Sequence, residues 1–475
     1  MKKTFYITTT IPYVNAEPHI GFALEVVQAD VIARYKRIDH EVFFNTGADE
    51  HGQKICEEAR KSGEDVQAYV DRYADSVRKL KETLNLSYDN FIRTTSPEHK
   101  KAAKELWRLC DKNKDIYKKK YKGLYCVGCE RFLATRDLVD GKCLIHPQLE
   151  PKVVEEENYF FKLSNYTEKI TDYLKRENII VPPHRLKEAQ QFVEQGLEDF
   201  SISREKEKLP WGVPVPDDDS QVMYVWFDAL TNYISTLGWP EDKEEKYKTF
   251  WENGEKLQMA GKDQIRFQSI MWPAMLMSAQ LPTPDQIFYH GFINSGGQRM
   301  SKSLGNVISP SDLVEKYGVD ATRYFLLRHI HPIDDTDVTW ERLDEWYEAN
   351  LVNGLGNLVA RVMKMSESYL DSPVNISEPK PIPNVNKHIE HFEFNRALDD
   401  IWFHIKETDE LIQEQEPFKL IKTNKVSAKK QVKYYVNDLN RIAVQLESFL
   451  PETSEKIKTA IKENKMPESL FPRKD

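Results

Sequence analysis

The sequence has no run of about 18 consecutive apolar residues, so nothing in it reads as a membrane-spanning helix. Lys2 and Lys3 are followed by threonines and Pro12 before any apolar core of signal type can build, so secretion is not expected. A cytoplasmic protein without a membrane partner is expected. Cysteines number only five, an odd count, and three of them crowd between Cys126 and Cys143, which argues against a disulfide framework and for a metal site. There is no basic excess: the formal net charge of -9 speaks against indiscriminate coating of nucleic acid, although it leaves room for a local basic track. Two lysine clusters, Lys118, Lys119, Lys120 and Lys122, and Lys422, Lys425, Lys429, Lys430 and Lys433, read first as solvated faces. Internal repeats and low-complexity tracts are absent.

What is present suits a packed multidomain protein. A chain of 475 residues exceeds one ordinary core and implies roughly two to four domains. The composition, 40% hydrophobic and 30% charged, leaves little room for long disorder. Residues 4–10 are rich in β-branched and aromatic side chains and read as a strand. After a Pro-Tyr-Val-Asn-Ala turn, Ile20, Leu24, Val27 and Val31 recur at helical spacing, with Pro18 in the first turn. Glu41 to Phe44 reads as a second strand running into Asn45-Thr46-Gly47, and a helical stretch follows Gly52. The same alternation returns at Lys256 to Ala260, Ile265 to Ser278 and Ile287 to Tyr289. It predicts an α/β fold, a doubly wound parallel sheet of Rossmann type. The expected division is a catalytic domain over residues 1–112 and 225–290, an inserted domain over 113–224, a loop region over 291–345 and a helical bundle over 346–475, where Leu351, Leu355, Leu358 and Val362 keep helical period. Pro373 to Pro383 reads as a loop between helices.

Three segments carry chemistry. Pro18-His19-Ile20-Gly21-Phe22 stands where the first strand of such a sheet hands over to a helix. There, free N–H groups, the helix dipole and the His19 ring can meet phosphate, and Gly21 allows close approach. Alone, the pattern is equally a capping or packing feature. Arg299-Met300-Ser301-Lys302-Ser303-Leu304-Gly305-Asn306, preceded by Ser295-Gly296-Gly297, is a cationic, glycine-flanked loop suited to closing over a triphosphate; alone, it is equally a surface loop. Cys126, Cys129, Cys143 and His146 offer three thiolates and one imidazole as two spaced pairs, which fits a closed tetrahedral zinc site of structural type. Free cysteines are the plainer alternative.

Together these segments resemble the HIGH and KMSKS signatures of class I aminoacyl-tRNA synthetases. The segments Thr10 to Asn15, Thr46-Gly47-Ala48-Asp49-Glu50-His51-Gly52, Trp226-Phe227-Asp228-Ala229, Gly261-Lys262-Asp263 and Trp272-Pro273-Ala274 are similar to the methionine branch of that family, in the family's order. The resemblance implies that L-methionine is activated by ATP and passed to the 3′-terminal ribose of tRNA(Met), for initiation and elongation, by a monomer. It implies ATP contacts from His19, Gly21, Asp263, His290, Arg299 and Lys302, with His19 and Lys302 catalytic and Mg2+ accompanying ATP. The implied methionine pocket comprises Ile11, Tyr13, Asp49, Trp226, Ala229, Tyr233, Gln268 and Trp272, with Asp49 facing the ammonium; any one of these aromatics is equally a core residue. Asn357 and Arg361, four apart on one helix face, would read the anticodon, although spacing alone fits an exposed polar face.

The sequence also departs from the family pattern. Phe22 replaces the last histidine of the first signature, Arg299 the first lysine of the second, and Gln264 and Gln268 an isoleucine and a histidine at the pocket rim. No tryptophan follows Trp402 in the bundle to stack on an anticodon base. The competing readings are another class I synthetase, disfavoured by the residues around Asp49 and Trp226, and a weakened homologue that only binds tRNA.

Overall fold

The computed structural model of the chain describes residues 2–127, 131–133, 138–144, 149–300 and 306–474. Two compact units result, one of Met1–Pro18, Asp39–Lys79 and Tyr88–His290, the other of His19–Ile38, Leu80–Ser87 and Gly291–Asp475.

The first unit is built on a parallel sheet. Its strands are β1 (Lys3–Thr8), β2 (His40–Ala48), β3 (Asn90–Arg93), β4 (Ile180–Val181), β5 (Glu255–Gly261) and β6 (Gln286–His290), in the order β3-β2-β1-β5-β6-β4. Every neighbouring pair is parallel. Such strands are covered on both faces, which is why Phe5, Tyr6, Ile7 and Thr8 are all buried. The strand order reverses between β1 and β5, and the crevice beyond the carboxyl ends of those two strands is where such sheets bind ligands. The second strand runs further than its composition predicts, through Thr46 and Gly47 to Ala48. Gly47 is part of the reason: a Cβ there would lie 2.2 Å from the carbonyl oxygen of Ile92 on β3, so only glycine permits that approach.

Within the expected insertion, Ile116–Cys126 and Lys152–Phe161 pair as long antiparallel strands, flanked by Arg131–Leu133 and Phe200–Ser201. The lysine cluster lies on the first of these, where Lys120 faces Glu157 and Lys122 faces Glu155. Lys118 reaches Asp218 at 2.9 Å. Cross-strand carboxylates thus neutralise the cluster. Ile180–Val181, also inside 113–224, departs from a separate insertion, because it pairs with β6 as the outermost strand of the parallel sheet.

The second unit is mainly helical. It holds α1 (Ile20–Lys36) and, among the helices of the carboxyl-terminal part, the longer α2 (Asn357–Tyr369), α3 (Phe394–Gln415), α4 (Lys425–Leu446) and α5 (Pro451–Glu463). Leu351, Leu355, Leu358 and Val362 are buried, as their period requires, and Pro373 to Pro383 carries no helix or strand. Pro18 lies outside α1 rather than in its first turn, because His19 takes the capping position. The helix is buried nearly all round, including Glu25, Gln28 and Asp30. Asp30 meets Arg323 at 2.8 Å with both side chains fully buried. Ahead of the serine loop, Ile293–Ser295 and Gln298–Arg299 form a hairpin whose two turn residues, Gly296 and Gly297, have φ of 64° and 74°, as such a tight turn demands. No helix among the described residues is long and apolar enough to cross a membrane.

Candidate active site

The first unit brings most of the expected methionine-binding residues into one chain of contacts, with Asp49 at the carboxyl end of β2. Beyond Pro12 the pairing of β1 with β2 resumes: Asp49 N donates to Pro12 O at 2.9 Å and Val14 N to Asp49 O at 3.1 Å. Tyr13 therefore stands beside Asp49. Asp49 is 4% exposed, at the end of β2. Its neighbour Glu50 is fully buried and clamps the turn. Arg93, from the end of β3, and the Thr95 hydroxyl both hold the Glu50 carboxylate. Trp211 Nε1 donates to the Glu50 carbonyl at 2.6 Å, and Glu50 N donates to the Thr94 hydroxyl at 2.9 Å. Asp49 is thereby carried on a backbone that has little freedom.

An aromatic wall stands in the same unit. The short helix Val225–Leu230 carries Trp226, Asp228 and Ala229. Trp226 stacks on Phe267 with ring centres 3.6 Å apart, and Tyr13 meets Trp226 edge-on at 6.4 Å. Phe267 and Gln268 lie on a wide π-helical turn, Phe267–Met271, a distortion that often accompanies binding sites. Gln268 Nε2 donates to the Tyr233 hydroxyl. Tyr6 fixes the backbone of Tyr233 by donating to its carbonyl at 2.8 Å. Trp272 packs 5.8 Å from Tyr233. The buried Gln268 Oε1 and Trp272 Nε1 have no partner among the described residues, and a buried unpaired polar atom costs about 1–3 kcal/mol. A polar ligand atom would recover part of that cost. Ile11 is half-buried nearby in sequence, and Ala229 is buried.

Behind this wall lies a trio that sequence reasoning did not single out. Asp228 Oδ2 meets His51 Nδ1 at 2.6 Å, and Asp228 Oδ1 meets His99 Nε2 at 2.9 Å. Burial by itself pushes the Asp228 carboxyl up, but the charges and hydrogen bonds of His51 and His99 outweigh it and hold the group well below the usual carboxylate range. His51 and Asp228 lie in segments visible as motifs, whereas His99 lies on the helix Pro97–Lys112 and has no local signal. Glu50, Arg93, Trp211 and Phe267 were missed for the same reason: their roles are set by partners far away in the chain.

Two expected ATP contacts belong to this unit as well. Asp263 follows β5, is exposed, and accepts from Gln264 Nε2 at 3.3 Å. His290 closes β6 and is 5% exposed. Asp49, Asp263 and His290 thus stand at the carboxyl ends of β2, β5 and β6.

The remaining expected residues belong to the second unit or to the insertion. His19 caps α1, accepting from Gly21 N at 3.0 Å through Nδ1. An accepting Nδ1 is unprotonated, which puts the proton of the neutral ring on Nε2, the atom left to serve as donor. Gly21 leaves no room for more: a Cβ there would lie 2.7 Å from His19 Cε1. Arg299 ends the hairpin before the serine loop, and Lys302 lies outside the described residues, as do Cys129 and His146. Cys126 and Cys143 are each 1% exposed and share one small apolar cluster with Leu133. Among the described residues no group of three or more His, Cys, Asp or Glu could hold a metal. Two of the four expected thiol and imidazole ligands are nevertheless brought together and dry, which fits a zinc site. At the start of α2, Asn357 is exposed and Arg361 forms an ion pair with Asp409. Trp402 is core: its Nε1 donates to Asn350 O at 3.2 Å and its ring lies 4.6 Å from that of Tyr324.

Comparison with known proteins points to one family. The family described as tRNA synthetases class I (M) matches residues 5–148 and 134–363, and the anticodon binding domain of methionyl tRNA ligase matches residues 377–472. A methionine–tRNA ligase of Fusobacterium nucleatum is 38% identical, the match covering 96% of this chain and 74% of that protein. One from Thermosynechococcus vestitus is 40% identical, covering 96% and 90%. The structure of Mycobacterium tuberculosis methionyl-tRNA synthetase in complex with methionyl-adenylate superposes with a TM-score of 0.90 at 36% identity, over 100% of this chain and 99% of that one. The apo form of the same enzyme gives 0.84 at 34% identity, with the same coverage. With residues 5–363 matched by the class I (M) family, residues 377–472 by its anticodon-binding domain and whole-length relatives of up to 40% identity, the chain belongs to the methionyl-tRNA synthetases of class I.

Proposed function

We propose that this chain forms methionyl-adenylate from L-methionine and ATP, releasing pyrophosphate, and then transfers the methionyl group to the 3′-terminal ribose of tRNA(Met). The observation that carries this reading is the pocket of the first unit, a near-buried carboxylate on a clamped turn together with an aromatic wall that contains the Gln268–Tyr233 hydrogen bond. Asp49 receives the ammonium. Ile11, Tyr13, Trp226, Ala229 and Trp272 surround the thioether, whose polarisable sulfur suits aromatic neighbours. The Tyr233 hydroxyl, supported by Gln268, donates to that sulfur. A group of this kind matters because shape alone separates one methylene by only about 1–3 kcal/mol.

In the first step a methionine carboxylate oxygen attacks the α-phosphorus of ATP in line. The bond to the bridging oxygen breaks, and pyrophosphate leaves with the charge. His19, through its Nε2 proton, together with Arg299 and Lys302, stabilises that charge. Asp263 holds the ribose, and His290 completes the ATP contacts. Magnesium, if it arrives with ATP, would supply further charge neutralisation at the phosphates. In the second step a hydroxyl of the terminal ribose, normally the 2′ in class I, attacks the carbonyl carbon and AMP leaves. Asn357 and Arg361 read the anticodon, for which Arg361 exchanges or shares its Asp409 partner. Cys126, Cys129, Cys143 and His146 would hold a zinc ion that stiffens the insertion.

The test is ATP–pyrophosphate exchange with methionine, leucine, isoleucine, valine and cysteine in parallel. Exchange with methionine alone is expected, and K302A should lower it by orders of magnitude. A folded protein that exchanges with none of them overturns the enzyme reading and leaves tRNA binding as the function.

A further inference from the structure

Asp228 is none of the expected pocket residues, yet it ties the two sides of the pocket together. It shares a helix with Trp226 and Ala229, so its backbone is the backbone of the aromatic wall. Its carboxylate reaches across to His51 at 2.6 Å. His51 in turn lies two residues beyond Asp49, and its backbone N–H points to Asp49 Oδ1 at 3.4 Å. On the far side, His99 Nε2 holds the other carboxylate oxygen at 2.9 Å, while His99 Nδ1 meets the Ser235 hydroxyl at 2.8 Å. The side chains of Asp228 and His99 are fully buried and that of His51 is 3% exposed, with its ring against Trp211 at 5.8 Å.

Apolar contact would pack these segments together more cheaply. Burying a carboxylate carries a desolvation cost that only good geometry and full hydrogen bonding offset. In return, two directed bonds fix a distance and an angle that apolar contact leaves loose. We propose that Asp228, held by His51 and His99, is a positioning group for the methionine ammonium. It sets the turn that carries Asp49 at a fixed spacing from the Trp226 wall, so that a ligand seated on the wall presents its ammonium to Asp49. This rests on the reading of Asp49 as the ammonium site.

The experiment compares three ligands on wild-type and D228N protein by equilibrium binding: methionine, methioninol, which keeps the ammonium and lacks the carboxylate, and 4-(methylthio)butanoate, which lacks the ammonium. Loss of one hydrogen bond to a charged group corresponds to a change of about tenfold or more. That loss is expected for methionine and methioninol, while the deaminated acid and the KM for ATP stay within about twofold, the change left by a fraction of a kcal/mol. H99Q keeps the Asp228–His51 contact and should give the same pattern at about threefold, the scale of a neutral hydrogen bond; it serves as the test should D228N fail to fold. Equal loss of all three ligands, or no loss, overturns the proposal while leaving Asp49 in its role. A wild-type protein that binds the deaminated acid as tightly as methionine refutes the ammonium role of Asp49, and the proposal falls with it.

Discussion

Replacing Arg323 with methionine keeps the length of the side chain and removes its charge. The guanidinium is fully buried in the second unit, where Nη2 lies 2.8 Å from Asp30 Oδ2. Nε donates to Phe449 O at 2.8 Å, Nη1 to Leu84 O at 3.0 Å and Nη2 to Ser448 O at 3.2 Å. R323M would strip these carbonyls, and that of Asn85 at 3.5 Å, of a donor and leave a buried carboxylate short of its main cation. Breaking such a pair costs about 3–5 kcal/mol. Asp30 keeps Arg34 at 2.7 Å and Ser87 at 2.6 Å, which argues for the lower end, about 3 kcal/mol or roughly a hundredfold in the unfolding equilibrium. The pH dependence gives an independent check. Burial pushes the Asp30 carboxyl up, but Arg323 first, then Arg34 and Ser87, hold it below its ordinary value. A depressed folded-state pKa contributes stability that is complete above the unfolded value and fades as pH falls through the folded one. Without Arg323 the burial effect gains ground and that contribution shrinks or reverses. The deficit of R323M relative to wild type should therefore be largest at neutral pH and narrow below about pH 4, the ordinary range of an aspartate. Urea unfolding of both proteins at pH 7, 4 and 3, followed by helical circular dichroism, measures it. A deficit under about 1 kcal/mol, the worth of an exposed pair, or one that does not change with pH, would refute the reasoning.

Three further outcomes are expected. In G21A the new methyl group collides with the His19 ring, the cap is lost at a cost of about 1 kcal/mol, and the exchange rate falls while the KM for methionine holds; steady-state exchange kinetics would show it. Y233F removes the acceptor of Gln268 Nε2 and the donor to sulfur, so methionine binding weakens by about tenfold while norleucine, which has a methylene in place of sulfur, is little affected; an unchanged preference for methionine over norleucine would count against the sulfur contact. Metal analysis of the purified protein should find one zinc per chain, and C143S should lose it and become readily cleaved by protease between residues 116 and 161.

Much of this architecture can be read from local pattern. The strands around residues 4–8, 41–44, 256–260 and 287–289 declare themselves through β-branched and aromatic runs, and Leu351 to Val362 through period. Boundaries set by tertiary contact are less legible. Thr46 and Gly47 look like a turn and are strand because Ile92 lies alongside. Ile180–Val181 is two residues long, too short to carry a pattern, and its place beside β6 depends on a partner over a hundred residues away. Asp49 and Trp226 stood out because their segments resemble a known order, and Tyr13, which stands beside Asp49, does meet Trp226 edge-on. His99 and Arg93 were not, since each gains its role from a carboxylate elsewhere in the chain, Asp228 for one and Glu50 for the other.

The second unit is assembled from three separated stretches, and this bears on how the protein is made. The helix Ile20–Lys36 emerges early during translation with almost its whole surface destined for the interior, Glu25, Gln28 and Asp30 included. Its companions after Gly291, among them Arg323, are synthesised last. Until then the helix has only Arg34, one turn on, to pair Asp30, and the apolar surface it will bury stays open to solvent, the kind of surface that chaperones bind.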